Sequence, residues 1–192
     1  MITRESLLTL EAYAKDRKRF RARVLEHKRP RTVHLGEHFT LLFEDELTIR
    51  YQIQEMLRVE KIFEEAGIQE EIDAYNPLVP DGRNWKATLM IEYEDIDERR
   101  QALGRLKGIE VRVWVQVEEH DRVYAIADED LERENAEKTS SVHFLRFELT
   151  PAMIAALKSG AGLGVGVDHP EYAAELQPVS DATRQALLAD LH

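Results

Sequence analysis

The chemistry open to this chain rests on seven histidines and 37 aspartates and glutamates, because it has no cysteine. Thiolate-held iron–sulfur clusters, cysteine zinc sites and thiol redox chemistry are therefore excluded. Any metal falls to His, Asp, Glu or backbone oxygens, a donor set that suits iron, manganese, zinc or magnesium. Spacing narrows this further. His34-Leu35-Gly36-Glu37-His38 matches H-x-x-E-H, the inverted zinc-peptidase pattern. That chemistry needs both histidines on one helical face. Gly36 interrupts the motif, and its flanks read as strand, which would hold the two histidines roughly 13 Å apart. Metallopeptidase activity is not expected. No glutamate stands three residues before any histidine, so the paired Glu-x-x-His signature of a di-iron bundle is missing. There is no G-x-S-x-G nucleophile elbow either.

The stretch GAGLGVGVDHPEY, residues 160–172, invites a phosphate-loop reading. Its glycines fall at every second position, not in G-x-G-x-x-G order, and G-K-[ST] is absent, so no nucleotide motif is present. Period two means an extended chain. Gly162, Gly164 and Gly166 line one face of it, and a helix or aromatic ring, or else a ligand, can approach that face closely. Asp168 and His169 follow where this strand ends. Hydrogen bonding in the turn before Pro170 is their commoner role, and metal or proton chemistry is the sharper one.

The elements that must position these groups come next. Leu10, Tyr13, Arg17, Phe20 and Val24 share one face of a long N-terminal helix over residues 6–27. Strands are expected over 31–35 and 39–43, a helix over 45–65 that Gly67 breaks, and a short helix over 68–75. On the second helix Ile49, Ile53, Met56, Glu60 and Phe63 form the buried face. Glu60 and Arg17 are both charged residues on apolar faces, and they are expected to pair as a buried bridge. Alternation over 86–93, 109–118, 122–128 and 142–149 gives strands, the clearest being 109–118. Asp95 opens a helix that Gly108 closes. Thr150 with Pro151 opens another that Gly160 ends, and Ser180 caps a last one from residue 181. Strands in succession on short turns give an α+β fold: one domain over 1–192, a mostly antiparallel sheet covered by helices.

Charge is unevenly spread. Residues 15–31 carry nine Lys/Arg against two acids, while residues 128–137 carry six acids and one Arg, in a chain of net charge −11. Lys15, Arg19, Arg23 and Lys28 of the first helix are candidate docking cations for an acidic face, a second copy of the chain included. They surround the helix with no recognition motif, which argues against nucleic acid. No apolar run reaches the ~20 residues of a membrane span. With no signal-peptide core at the N-terminus, a cytoplasmic protein is expected.

Three strings, LGEHFTLLFEDELTIRYQIQEMLRVEKI, EKTSSVHFLRFELT and GVGVDHPEY, resemble an uncharacterised bacterial family known only as a domain of unknown function. The resemblance spans nearly the whole chain and carries no assigned reaction. Members are often encoded near rubrerythrin-like proteins and iron–sulfur oxidoreductase subunits. The resemblance thus implies an accessory role with a redox protein partner. The family-like polar positions are Gln52, Gln54, Glu55, Arg58 and Glu60, then Lys138, Thr139, His143, Arg146 and Glu148, then Asp168, His169 and Tyr172. Convergence of these three blocks on one site is expected. Three functions remain open, in this order: an accessory, self-associating binding protein beside an iron-dependent redox system; a metal-binding protein or enzyme; and, least favoured, nucleic-acid binding through the basic first helix. The second draws its ligands from Gln52, Glu55, Arg58, Glu60, His143, Arg146, Asp168, His169 and Tyr172.

Overall fold

The computed structural model describes residues 1–192. Its contacts gather into two compact units, Met1–Arg29 with Glu44–Pro80 and Pro30–Phe43 with Asp81–His192. The first is helical. Thr9 caps α1 (Leu10–Lys28) by accepting from the Ala12 N–H. Asp45 and Thr48 cap α2 (Glu46–Val59) reciprocally, at 3.0 and 2.9 Å. Tyr13, Phe20 and Val24 of α1 are buried as their spacing predicts, with Leu47 and Tyr51 of α2 packed against them. Ile49, Ile53 and Leu57 of α2 meet Ile68 and Ile72 of α3 (Glu65–Tyr75) and the N-terminal Ile2 and Leu7.

Several expectations fail in this unit. The first helix, expected from residue 6, starts at Leu10, where Thr9 caps it, after a separate 3-10 turn at Arg4–Ser6. The helix over 45–65 is two helices: the chain leaves α2 at Val59, passes through Lys61 at φ 53°, and re-enters a helix two residues before Gly67. Phe63, placed in the core by its spacing, is 72% exposed in that break. The buried face of α2 runs through Leu57, four residues after Ile53, and Glu60 caps the helix in solvent. There is consequently no Arg17–Glu60 bridge. Arg17 reaches one turn further back, to Glu55.

The second unit is α+β, with two antiparallel sheets. The first has strand order β1 (Thr32–Leu35), β2 (Phe39–Glu44), β3 (Asn84–Ile91), β7 (Val142–Glu148), β6 (Ile126–Ala127). The second has order β5 (Val123–Tyr124), β4 (Val113–Val117), β8 (Leu163–His169), β9 (Tyr172–Leu176). Their apolar faces share one core with α4 (Ile96–Arg105), α5 (Pro151–Lys158) and α6 (Asp181–Leu188). The helix starts at Asp95, Thr150 and Ser180 are capped as expected.

The expected strand 109–118 begins late. Residues Ile109–Val111 form a 3-10 turn after Gly108 at φ 77°, which exposes Val111 and brings in Glu110 from the side. The expected strand 122–128 divides at Ala125: Val123 and Tyr124 pair with β4, while Ile126 and Ala127 pair with β7. A side-chain period of two runs straight through such a sheet change, so alternation gives no sign of it. The glycine stretch is a central strand. The Trp114 ring lies over Gly166, where an added Cβ would stand 2.6 Å from Trp114 Cε2.

Candidate functional site

β7 alternates, and its inward row is His143, Leu145, Phe147. A histidine in that row has no access to water (0% exposed), so both ring nitrogens must find partners inside the protein. The sheet change at Ala125 supplies the first. It delivers Asp128 to the edge of β7, where the backbone turns at φ 51° and the carboxylate folds back. Asp128 Oδ2 stands 2.6 Å from His143 Nδ1, and Oδ1 accepts from the Phe144 N–H at 3.0 Å and from Arg133 at 3.2 Å. An ionised carboxylate only accepts, so Nδ1 carries the hydrogen and Nε2 is the atom turned inward.

Around Nε2 lie only oxygens. Thr139 Oγ1 and the Ser140 carbonyl are each 2.9 Å away, and Glu110 Oε2 is 4.0 Å away. Thr139 is buried and its hydroxyl has one hydrogen to give, with Glu110 Oε2 at 3.5 Å. The Ser140 carbonyl has none. The Thr139 hydroxyl can give its hydrogen to Nε2, and the Ser140 carbonyl and the Glu110 carboxylate beside it only accept, so the lone pair of Nε2 lies in an oxygen-lined position that suits a cation. Ligand atoms of Glu110, Asp128 and His143 all lie within 4.8 Å of one another, Glu110 on the Nε2 side of the ring and Asp128 on the Nδ1 side. A pocket of about 400 Å³ adjoins them, lined by Glu110, Val111 and loop residues 127–134. Within that loop Arg133 clamps Asp130 with 2.6 and 2.7 Å bonds and holds its carboxyl down at about 2. Arg146 likewise clamps Glu129, keeping its carboxyl below the ordinary range, and also bonds Glu148.

The three family-like blocks do not meet at this place. Of the first, Glu55 on α2 accepts from Tyr13, Arg17 and Arg58, while Gln52 and Glu60 are exposed. Arg17 foremost, with Tyr13 and Arg58, holds the Glu55 carboxyl at about 2, and burial together with Glu55 pushes the Tyr13 hydroxyl up. The third block lies on the other sheet. Asp168 takes Arg112 at 2.7 Å, Arg122 at 3.2 Å and the Tyr124 hydroxyl at 2.5 Å. His169 fills both its ring nitrogens with backbone: Nε2 is 2.8 Å from the Lys107 carbonyl, and Nδ1 accepts from the Glu171 N–H at 3.1 Å. The Tyr172 hydroxyl donates to the Leu35 carbonyl and accepts from the His38 N–H, over the β1–β2 turn at Gly36.

His34 and His38 lie on that hairpin and not on a helix. His38 stacks on Tyr93 at 3.8 Å, and His34 Nδ1 meets Thr40 Oγ1 at 3.3 Å. Of the docking cations, Lys15 and Arg19 pair with Glu11 and Asp16 of their own helix, and Arg23 and Lys28 lie over the rings of Phe20 and Tyr51. Of the expected ligands only His143 stands at this centre; Arg146 lies on the opposite, outward row of β7, paired with Glu129 and Glu148. Glu110 was missed because it read as an outward residue of a strand, and Asp128 because it read as one acid of a solvated run. A histidine at an inward-facing position of an alternating strand was the available signal. No helix is long and apolar enough to cross a membrane.

Comparison with other proteins agrees with the family-like strings. The model of a family described as "Protein of unknown function (DUF3501)" matches residues 1–191. A protein of unknown function from Burkholderia pseudomallei, known from its crystal structure, is 60% identical. The match covers 100% of this chain and 99% of that one, with a TM-score of 0.94. No curated protein matches.

Proposed function

The chain belongs to the DUF3501 family of proteins of unknown function, and from the geometry of its own side chains we propose that it binds a divalent metal ion at His143. One observation carries this reading: a fully buried imidazole whose Nδ1 is held by a carboxylate and whose Nε2 faces only oxygen atoms. A carboxylate behind the distal ring nitrogen is the usual way to orient a metal-binding histidine and strengthen it as a donor. His143 Nε2, Glu110 Oε2, Thr139 Oγ1 and the Ser140 carbonyl are the direct donors, and Asp128 is the orienting group. Neighbouring ligands of a six-coordinate ion with bonds of ~2.1 Å stand about 3 Å apart, which the two 2.9 Å separations match. One imidazole among oxygens and no thiolate suits manganese, iron or zinc.

The test is native mass spectrometry with elemental analysis on protein purified without chelator. One equivalent of metal is expected, and Glu110→Gln, on a partly exposed side chain, keeps the fold while losing the metal. Wild-type protein that stays metal-free after incubation with manganese, ferrous iron and zinc overturns the reading.

A second reading is favoured by the lip of the same pocket, where Leu131 (56% exposed) and Val111 (50%) stand among Glu129, Asp130, Glu132 and Glu134. Such a surface suits a basic partner, in keeping with an accessory role beside a redox system. Its association should weaken steeply with added salt, and salt-insensitive association counts against it.

A further inference from the structure

In the sheet-bearing unit, α5 turns Ile154, Ala155 and Lys158 to one side, three and four residues apart. Together with Arg83 and Leu149 they enclose a pocket of about 350 Å³, which His192 closes at one end. That size sits at the small end of ligand sites, which run from roughly 300 Å³ upward. Leu149 and Ile154 give an apolar floor, 6% and 7% exposed. The walls are held by backbone: the Leu149 N–H donates to the Arg83 carbonyl and the His192 N–H to the Gly82 carbonyl, both at 3.0 Å. Gly82 is part of the design. Its φ is +96°, and a Cβ there would stand 3.1 Å from His192 Cγ, so only glycine lets the imidazole lie where it closes the pocket.

The charge of this pocket runs against that of the molecule. The chain carries −11, and the pocket near His143 is lined mostly by carboxylates. Here the charged side chains of the lining are Arg83 and Lys158, with no acidic side chain among them, and neither forms an ion pair with the backbone carboxylate of His192. Neither side chain forms an ion pair, whereas most arginines of this chain do. The nearby Asp81 carboxylate accepts from the Arg83 backbone N–H and not from its guanidinium. An apolar floor under two unneutralised cations recognises an anion with a compact apolar body.

We propose that this pocket binds a small carboxylate bearing an aromatic or branched aliphatic group, the carboxylate between Arg83 and Lys158 and the apolar body against Leu149 and Ile154. Arg83 offers a planar fork for the carboxylate and Lys158 a point charge. The site is distinct from the metal centre and does not depend on it.

Phenylacetate is the probe, titrated into the isotope-labelled full chain and followed by backbone amide NMR shifts. Saturable shifts at Arg83, Ala155 and Lys158 are expected. Phenylacetamide, the same shape without charge, should bind about tenfold more weakly, as loss of a charge-assisted contact predicts. Acetate, lacking the apolar body, should give no saturation. Arg83→Gln and Lys158→Gln each lower phenylacetate affinity, and Ala155→Trp, at an exposed position, fills the pocket and abolishes the shifts. Equal binding of phenylacetamide, shifts centred elsewhere, or no saturable shift with phenylacetate overturns the proposal.

Discussion

Replacing Asp190 with alanine strands the Arg31 guanidinium inside the protein, and the cost can be worked from the contacts. Arg31 NH1 donates to Asp190 Oδ2 at 2.8 Å and NH2 to Oδ1 at 2.7 Å, a bidentate pair between residues 159 positions apart. The side chains are 3% and 8% exposed, so solvent does little to screen them. NH2 also donates to the Ala186 carbonyl at 3.0 Å, satisfying one of the carbonyls that the end of α6 leaves open. Without the carboxylate, a buried charge keeps only part of its bonding. Removing one partner of such a pair costs about 3–5 kcal/mol. At ~2–4 °C per kcal/mol for a chain of this size, the melting temperature falls by roughly 10 °C. Chemical denaturation of wild type, Asp190→Ala, Arg31→Met and the double variant completes the cycle. The double variant should be more stable than the sum of the single losses predicts, because it buries no unpaired charge. A loss below ~1 kcal/mol for Asp190→Ala, or additive single effects, would refute the reasoning.

Further outcomes follow from the same geometry. Gly166→Ala should destabilise by about 1–3 kcal/mol through overpacking, because its Cβ meets Trp114 and stands 3.0 Å from the Ala174 carbonyl; a gain in melting temperature, as propensity alone predicts for glycine in a strand, would show that Trp114 is free to move. The folded-state carboxyl of Glu55 lies below its unfolded value of 4.5, at about 2. Its contribution is therefore complete above pH 4.5 and is lost as pH falls towards 2. Glu55→Gln should flatten that part of the acid-stability curve, and an unchanged slope sinks the assignment. Asp128→Asn frees His143 from its orienting carboxylate and should weaken manganese or zinc binding by roughly 10- to 100-fold, read by competition with a fluorescent chelator. Unaltered affinity removes Asp128 from the site.

Much of the local structure was legible from residues 1–192 as a string. The caps at Asp95, Thr150 and Ser180 are side-chain–backbone bonds over three residues, so spacing alone reveals them. The α+β class followed from strands succeeding one another on short turns. The approach of an aromatic ring to the glycine strand was anticipated, because absent side chains leave room, though the string did not say the ring was Trp114. The break at Lys61 was not legible, because the core position that ends α2 is Leu57, and Phe63 carries the same apolar signature although it lies mostly in solvent.

The candidate site divides the same way. Composition determined its donor set: with no cysteine, any metal ligand must be imidazole, carboxylate or another oxygen. Strand alternation placed His143 beside Leu145 and Phe147. What sequence spacing could not supply was the company His143 keeps. Asp128 arrives because a strand changes sheets at Ala125, and Glu110 because the chain coils once before β4 begins. Both events leave the pattern of side chains along the chain unchanged, since they depend on which strand lies alongside. Pairing between residues 15 to 33 positions apart is a property of the folded sheet, and only the tertiary structure decided it.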